Sequence, residues 1–207
     1  MSKIRIGIIN FNSGNIFSLS NILENLSCTV EMVDKNSNTK DFDKIIIPGV
    51  GSYYEAMKYI KSSKIDNFLN EFALEKTKPV LGICIGMQIM TKNGHEGRVT
   101  QGLNFIGGEC SKMENTKFSL PHIGWNNVSN NLKKNSKIFY EIDNNNDFYF
   151  AHSYCVKNIN SNYITGITNY ENNFISSIQK DNIYGTQFHP EKSSKVGYKI
   201  LKNFISL

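Results

Sequence analysis

Cys84 stands between two glycines in Gly82-Ile83-Cys84-Ile85-Gly86, where the stretch LGICIGMQIM passes from an apolar run into a helical pattern. In that context G-x-C-x-G reads as a nucleophile elbow, a strand-to-helix turn too tight for side chains on either flank. The thiol would project above the C-terminal edge of a sheet, where open α/β sheets bind ligands. It would lie at a helix N-terminus, whose partial positive charge favours thiolate. The N–H of Ile85 would be free to face a developing oxyanion. An inert buried thiol is the competing reading, because free cysteines are often fully buried. The presence of a base decides, since a nucleophilic cysteine needs an imidazole and a group to orient it.

Four histidines are available: His95 in the polar loop NGHEGR, His122 in PHIGWN, His152 in the strand-like FAHSY, and His189 in FHPEK. Only His189 is followed two residues later by a carboxylate, Glu191, and the Pro190 between them excludes helix and stiffens the turn. Positions i and i+2 of an extended segment share a side. Glu191 can therefore reach the ring nitrogen of His189 that faces away from Cys84, fixing its tautomer and stabilising the imidazolium. Cys84, His189 and Glu191 form a candidate Cys-His-Glu set for nucleophilic catalysis.

Such a set needs a rigid frame. Apolar runs at 3–9, 28–33, 43–49 and 78–84 read as strands, alternating with helical patterns near 16–26, 52–63, 65–76 and 85–93. This βαβα order implies an α/β fold with a doubly wound, mainly parallel sheet and flanking helices. The second half changes character. NFIGGECSKM, DFYFAHSYCV, YITGITNY, NFISSIQK and NIYGTQFH are strand-like with few helices between them, which predicts antiparallel strands added to the sheet. Residues 193–207 read as a closing amphipathic helix. With neither repeat nor linker, 1–207 is expected to be a single domain.

Composition narrows the function further. The 207 residues carry a net charge of +5, and the positive side chains are scattered, with Lys133-Lys134 the one basic doublet. No nucleic-acid stripe is expected. No apolar stretch approaches a membrane span of about 20 residues, and MSKIRIGIIN is too short an apolar run for an export signal. The four cysteines lack C-x-x-C spacing and read as reduced thiols in a cytoplasm. No metal-ligand cluster is expected, since His152 and Cys155 would face opposite sides of a strand. GVGSYYEA lacks the lysine of a phosphate loop, so no cofactor is implied.

LGICIGMQ together with FHPEK resembles the class I (triad) glutamine amidotransferases, and the likeness runs from GIINFNSGN to the final helix. The resemblance implies a flavodoxin-like fold and a cysteine that attacks the side-chain amide of L-glutamine. It implies a second oxyanion donor in the Val50–Gly51 region of PGVGSY, with Gly49 and Gly51 allowing close backbone approach. It further implies that Gln88 contacts glutamine and that Glu96 meets its α-amino group. The backbone at His152, Ser153 and Tyr154 would hold its α-carboxylate and amino groups.

NSGN, PGVGSY and PHIGWN resemble the branch of the family whose members feed ammonia to a separate cyclase subunit, a (β/α)8 barrel, in histidine biosynthesis. On that resemblance the docking surface, in a heterodimer, includes Asn12, Pro121, Ile123, Trp125 and Lys192, with Trp125 on a loop. Two other readings stay open. One is a paralogous glutaminase that supplies ammonia for modifying surface sugars, because NFNSGN departs from the Asp-Tyr that often precedes the glycine in the histidine branch. The other is a cysteine-dependent α/β hydrolase, whose acid normally lies upstream of its histidine.

Overall fold

The computed structural model describes residues 3–11, 16–114, 117–130, 136–144 and 146–207. Five parallel strands make the centre: β1 (Arg5–Ile9), β2 (Thr29–Val33), β3 (Lys44–Ile47), β4 (Val80–Ile83) and β13 (Ile183–Thr186). Their order is β2-β1-β3-β4-β13, and every pair is parallel. Runs such as KIII and VLGI are buried at every position, as strands covered on both faces must be.

Alternate residues of these strands feed two cores. Ile45 and Ile47 pack with Met57, Ile60, Leu69 and Phe72 from α2 (Tyr53–Ser62), α3 (Ile65–Asn70) and the π-helical turn Glu71–Glu75 that continues α3. Ile46, Leu81 and Ile83 pack on the other face with Leu19 and Leu23 of α1 (Ile16–Asn25) and Ile200 and Phe204 of α5 (Ser194–Ile205). The period-2 alternation of a strand thus buries one helical layer on each side of the sheet.

Beyond β13 the same sheet continues antiparallel through β12 (Asn172–Lys180), β11 (Ile164–Tyr170), β8 (His122–Asn130) and β9 (Asn146–His152). This is the expected class, a parallel α/β half with antiparallel strands appended.

Four details differ from the sequence reading. The strand in NIYGTQFH pairs parallel with β4, while its partner on the other side, β12, is antiparallel. DFYFAHSYCV is two strands, since the chain breaks at Ser153 and β10 (Tyr154–Lys157) leaves the large sheet. It enters a second sheet of order β10-β7-β5-β6, with β5 (Thr91–Gly94), β6 (Thr100–Gln101) and β7 (Gly107–Lys112). The helix predicted over 85–93 is only α4 (Ile85–Gln88). Thr91 ends it: the hydroxyl donates to the Gln88 carbonyl at 2.7 Å, and the carbonyls of Ile89 and Met90 accept from Leu103 and Phe105 instead of from a next helical turn. Finally, Trp125 lies within β8, not on a loop.

Candidate active site

The Cys84 backbone sits at φ 50°, ψ −105°, a conformation that costs a non-glycine residue of order 1–3 kcal/mol. The neighbours enforce it. A Cβ on Gly82 would stand 2.6 Å from the Gly86 carbonyl carbon, and a Cβ on Gly86 would overlap the Ile47 carbonyl oxygen. The elbow is therefore sealed from both sides by backbone. Ile85 opens α4, so its N–H has no helical carbonyl four residues back to bond. A Cβ on Gly49 would fall 2.5 Å from that nitrogen, which places the PGVG loop directly over it.

Parallel pairing of β4 with β13 carries the base to the nucleophile. Beyond β13 the chain bends at Gln187 and Phe188 and reaches His189, whose N–H donates to the Tyr149 carbonyl at 2.9 Å. Ser193 Oγ donates to the His189 carbonyl at 2.6 Å and accepts from the Tyr149 N–H at 3.0 Å, locking the segment to β9. The expected contact forms, but not through the extended segment expected for it: Pro190 opens a 3-10 turn over Pro190–Lys192, which brings Glu191 Oε1 to 2.9 Å from His189 Nδ1, with the imidazole 1% exposed. Burial alone disfavours the imidazolium. The charge of a Cys84 thiolate, the hydrogen bond to it and the Glu191 carboxylate outweigh that and push the His189 pKa up to about 10.

A cavity of about 220 Å³ opens at the sulfur, lined by Gly51, Cys84, Ile85, Gln88 and Glu96 on one side and by Pro121 and the segment 151–154 on the other. The Glu96 carboxylate is steadied by the Tyr53 N–H at 2.8 Å, at the start of α2. Two carbonyls of the expected substrate backbone are already engaged. That of Ser153 accepts from Met113 N, and that of Tyr154 accepts from Gln88 Nε2 and His152 Nδ1, each at 2.8 Å. Val50, beside Gly51, is 37% exposed. Among the described residues no group of side chains could hold a metal ion.

Of the expected docking residues, Ile123 is 63% and Trp125 54% exposed. Trp125 meets Tyr149 edge-on, and Lys192 Nζ lies 5.7 Å over the same Tyr149 ring, so the three share one face. Pro121 joins that face to the cavity. Asn12 lies outside the described residues.

Two polar residues at the site escaped the sequence reading. Gln187 Nε2 donates to Cys84 Sγ at 3.5 Å. It stands two residues before His189 where the chain bends at Gln187 and Phe188, so strand alternation gave no signal for it. The second is His122, weighed above only as one of four candidate bases; it is 3% exposed and stacks on Tyr170. Its Nδ1 lies 3.3 Å from His152 Nε2.

Burial holds both rings neutral, lowering His122 to about 4 and His152 to about 3 despite the bond from His152 to the Tyr154 carbonyl. Unfolded histidines titrate near 6.5, so between about pH 6 and 4 the unfolded chain binds two protons that the native chain does not. Stability is expected to fall as pH drops through this window, with this pair contributing at most about 3 kcal/mol per pH unit. Urea denaturation at a series of pH values checks it: His122→Asn should lose stability less steeply than the parent, and equal slopes would remove the explanation.

The family model for "Glutamine amidotransferase class-I" matches residues 7–207. The chain belongs to the class-I glutamine amidotransferases. It is 40% identical over 210 residues to imidazole glycerol phosphate synthase subunit HisH of Pelagibacter ubique, across 99% of this chain and all of that one. With imidazole glycerol phosphate synthase subunit HisH 1 of Campylobacter jejuni it shares 41% over 204 residues, 98% of this chain and all of the relative. The fold matches a chain of PurLQS from Thermotoga maritima with a TM-score of 0.77, at 18% identity over 99% of both chains. Family membership removes the α/β-hydrolase reading. The amidotransferase fold thus sets the elbow, base and cavity in one frame.

Proposed function

We propose that this chain is the glutaminase subunit of imidazole glycerol phosphate synthase, acting in the cytoplasm in histidine biosynthesis. It hydrolyses L-glutamine to glutamate and ammonia and passes the ammonia to a (β/α)8-barrel cyclase subunit. The observation that carries the chemistry is the strained Cys84 elbow facing a buried His189–Glu191 pair at 2.9 Å. Full-length identity of about 40% to HisH subunits supports the pathway.

Glutamine enters the cavity with its carboxamide at the sulfur and its α-amino group toward Glu96. Cys84 Sγ attacks the carboxamide carbon. The resulting oxyanion is held by the Ile85 N–H and, when the Val50–Gly51 segment is in its productive geometry, by an N–H of that segment. His189 Nε2 gives its proton to the departing nitrogen, and ammonia leaves a γ-glutamyl thioester on Cys84. The neutral imidazole then takes a proton from water, whose oxygen attacks the thioester carbon. Collapse of the second oxyanion expels the thiolate and glutamate. Glu191 keeps the Nδ1 proton in place throughout, so Nε2 is always the working nitrogen.

The face bearing Ile123, Trp125 and Lys192 is the docking surface for the cyclase. An exposed tryptophan beside a tyrosine, rimmed by a lysine, has the composition of an interface anchor. Ammonia released beside Pro121 would then leave toward the partner. The segment Val50–Gly51 is the gate: its geometry sets whether the second oxyanion donor is in place before the partner binds.

The test is glutamate release by the chain alone, with the histidine-pathway cyclase, and with the cyclase and its nucleotide ligand. Stimulation by several orders of magnitude is expected. Rapid hydrolysis by the isolated chain, unchanged by the partner, would sink the gate. Failure of that cyclase to stimulate an otherwise competent glutaminase would move the chain to the sugar-modifying paralogues.

A further inference from the structure

The carbonyl of Tyr154 can only accept hydrogen bonds, and this single fact orients a buried polar chain ending on the nucleophile. It faces Gln88 at 2.8 Å, so the Gln88 atom there is the NH2 group. The same NH2 stands 3.1 Å from a Gln187 side-chain atom, which must then be the carbonyl oxygen. The other end of the Gln187 amide is its NH2 group, and it lies 3.5 Å from Cys84 Sγ. Gln187 is fully buried and Gln88 is 4% exposed, so neither amide can turn over without stranding a donor or an acceptor away from water.

A second arm from the same carbonyl obeys the same polarity. His152 Nδ1 donates to it, leaving Nε2 to accept from His122 Nδ1. His122 Nε2 then accepts from Asn126 Nδ2 at 3.5 Å. Both rings are neutral, as this pattern requires. One tautomer of each histidine and one orientation of each glutamine satisfy every contact.

We propose that Gln187 is a further catalytic residue, whose side-chain N–H, aimed by Gln88, holds the Cys84 sulfur in its thiolate form and in its attacking position. The proposal rests on Cys84 being the nucleophile. An N–H donor favours the charged sulfur over the thiol. It also fixes the sulfur from the Gln187 side while His189 bonds it as well, so the lone pair that attacks has one direction. The other titratable groups around the sulfur are His189 with Glu191 behind it, His152, Cys110, and Glu96 across the cavity.

The experiment follows the pH dependence of iodoacetamide alkylation, with modified peptides mapped by mass spectrometry. All four cysteines are buried, but Cys84 lines the cavity and in the parent chain should react before Cys28, Cys110 and Cys155. If it does not, the nucleophile reading itself fails. Gln187→Met preserves length and removes the donor. Its alkylation midpoint should rise by about one pH unit, with roughly tenfold slower reaction below the midpoint, and kcat should fall more than KM changes. Gln187→Glu should raise the midpoint further, because a carboxylate repels the thiolate. Unchanged midpoints in folded variants, with Cys84 still reactive, would overturn the role of Gln187 alone. Should neither variant fold, the parent decides: the Gln187 side-chain amide resonances should titrate with the thiol, and resonances flat across its midpoint would overturn the proposal.

Discussion

Cys84→Ser is expected to release no measurable glutamate from glutamine, with a loss on the order of 10⁶-fold in kcat, as for removal of an enzyme's nucleophile. Serine fits the space, and the backbone conformation is imposed by Gly82, Gly86 and Ile47, which the substitution leaves alone. The hydroxyl is a far weaker acid than the thiol, so the imidazole cannot hold it as an anion in the resting site. The variant should keep the thermal stability of the parent to within a few degrees and should still bind the cyclase. Glutaminase assay, thermal melt and a binding isotherm on one preparation separate loss of chemistry from loss of fold. Residual activity above about one part in a thousand would place the nucleophile elsewhere.

Glu191→Gln should lower kcat by roughly 10²–10⁴-fold, since the amide can present the wrong partner to Nδ1 and lose the working tautomer. Its clearer signature is in pH. Against the cost of burial, His189 is held up to about 10 first by the Cys84 thiolate and the hydrogen bond to it, and then by its bond to Glu191 and the carboxylate charge. A pKa raised in this way keeps the imidazolium available at neutral pH and loses it as pH climbs through the raised value. The alkaline limb of kcat/KM should therefore lie near pH 10 in the parent and move toward neutrality in Glu191→Gln. A limb that stays in place would mean that the carboxylate does not support the proton on His189.

The meeting of Cys84, His189 and Glu191 was legible because each member is marked by its immediate neighbours. Glycines flank the cysteine, and a proline splits the histidine from its acid. Those neighbours restrict the backbone, and backbone restriction is what a sequence displays most directly. The parallel half of the sheet was equally plain in KIII and VLGI, apolar at nearly every position.

What sequence concealed was pairing. NIYGTQFH alternates like any strand, and nothing local says that it lies parallel to β4 on one side and antiparallel to β12 on the other. Nor does DFYFAHSYCV announce its break at Ser153, because both halves carry strand residues and only the second sheet claims the latter. The helix predicted over 85–93 was lost to Thr91 and to the loop carrying Leu103 and Phe105, contacts between residues far apart in the chain. Gln187 escaped because a glutamine has many bland uses, and its role depends on Gln88 and Tyr154, which only the fold brings beside it.

The central position of β13 has a consequence for how the chain is born. β4 carries the nucleophile and lies against β3 on one edge, but its other edge is filled only by residues 183–186. A ribosome that has released the first two-thirds of the polypeptide has therefore delivered a strand of four buried apolar residues with one flank open, the kind of edge that recruits foreign strands. The same late segment brings the base. Until it arrives, the nascent thiol has neither its imidazole nor its glutamine donor and is chemically quiet. One docking event thus ends the chain's vulnerability to misassembly and arms its active site, so a half-made subunit cannot squander glutamine.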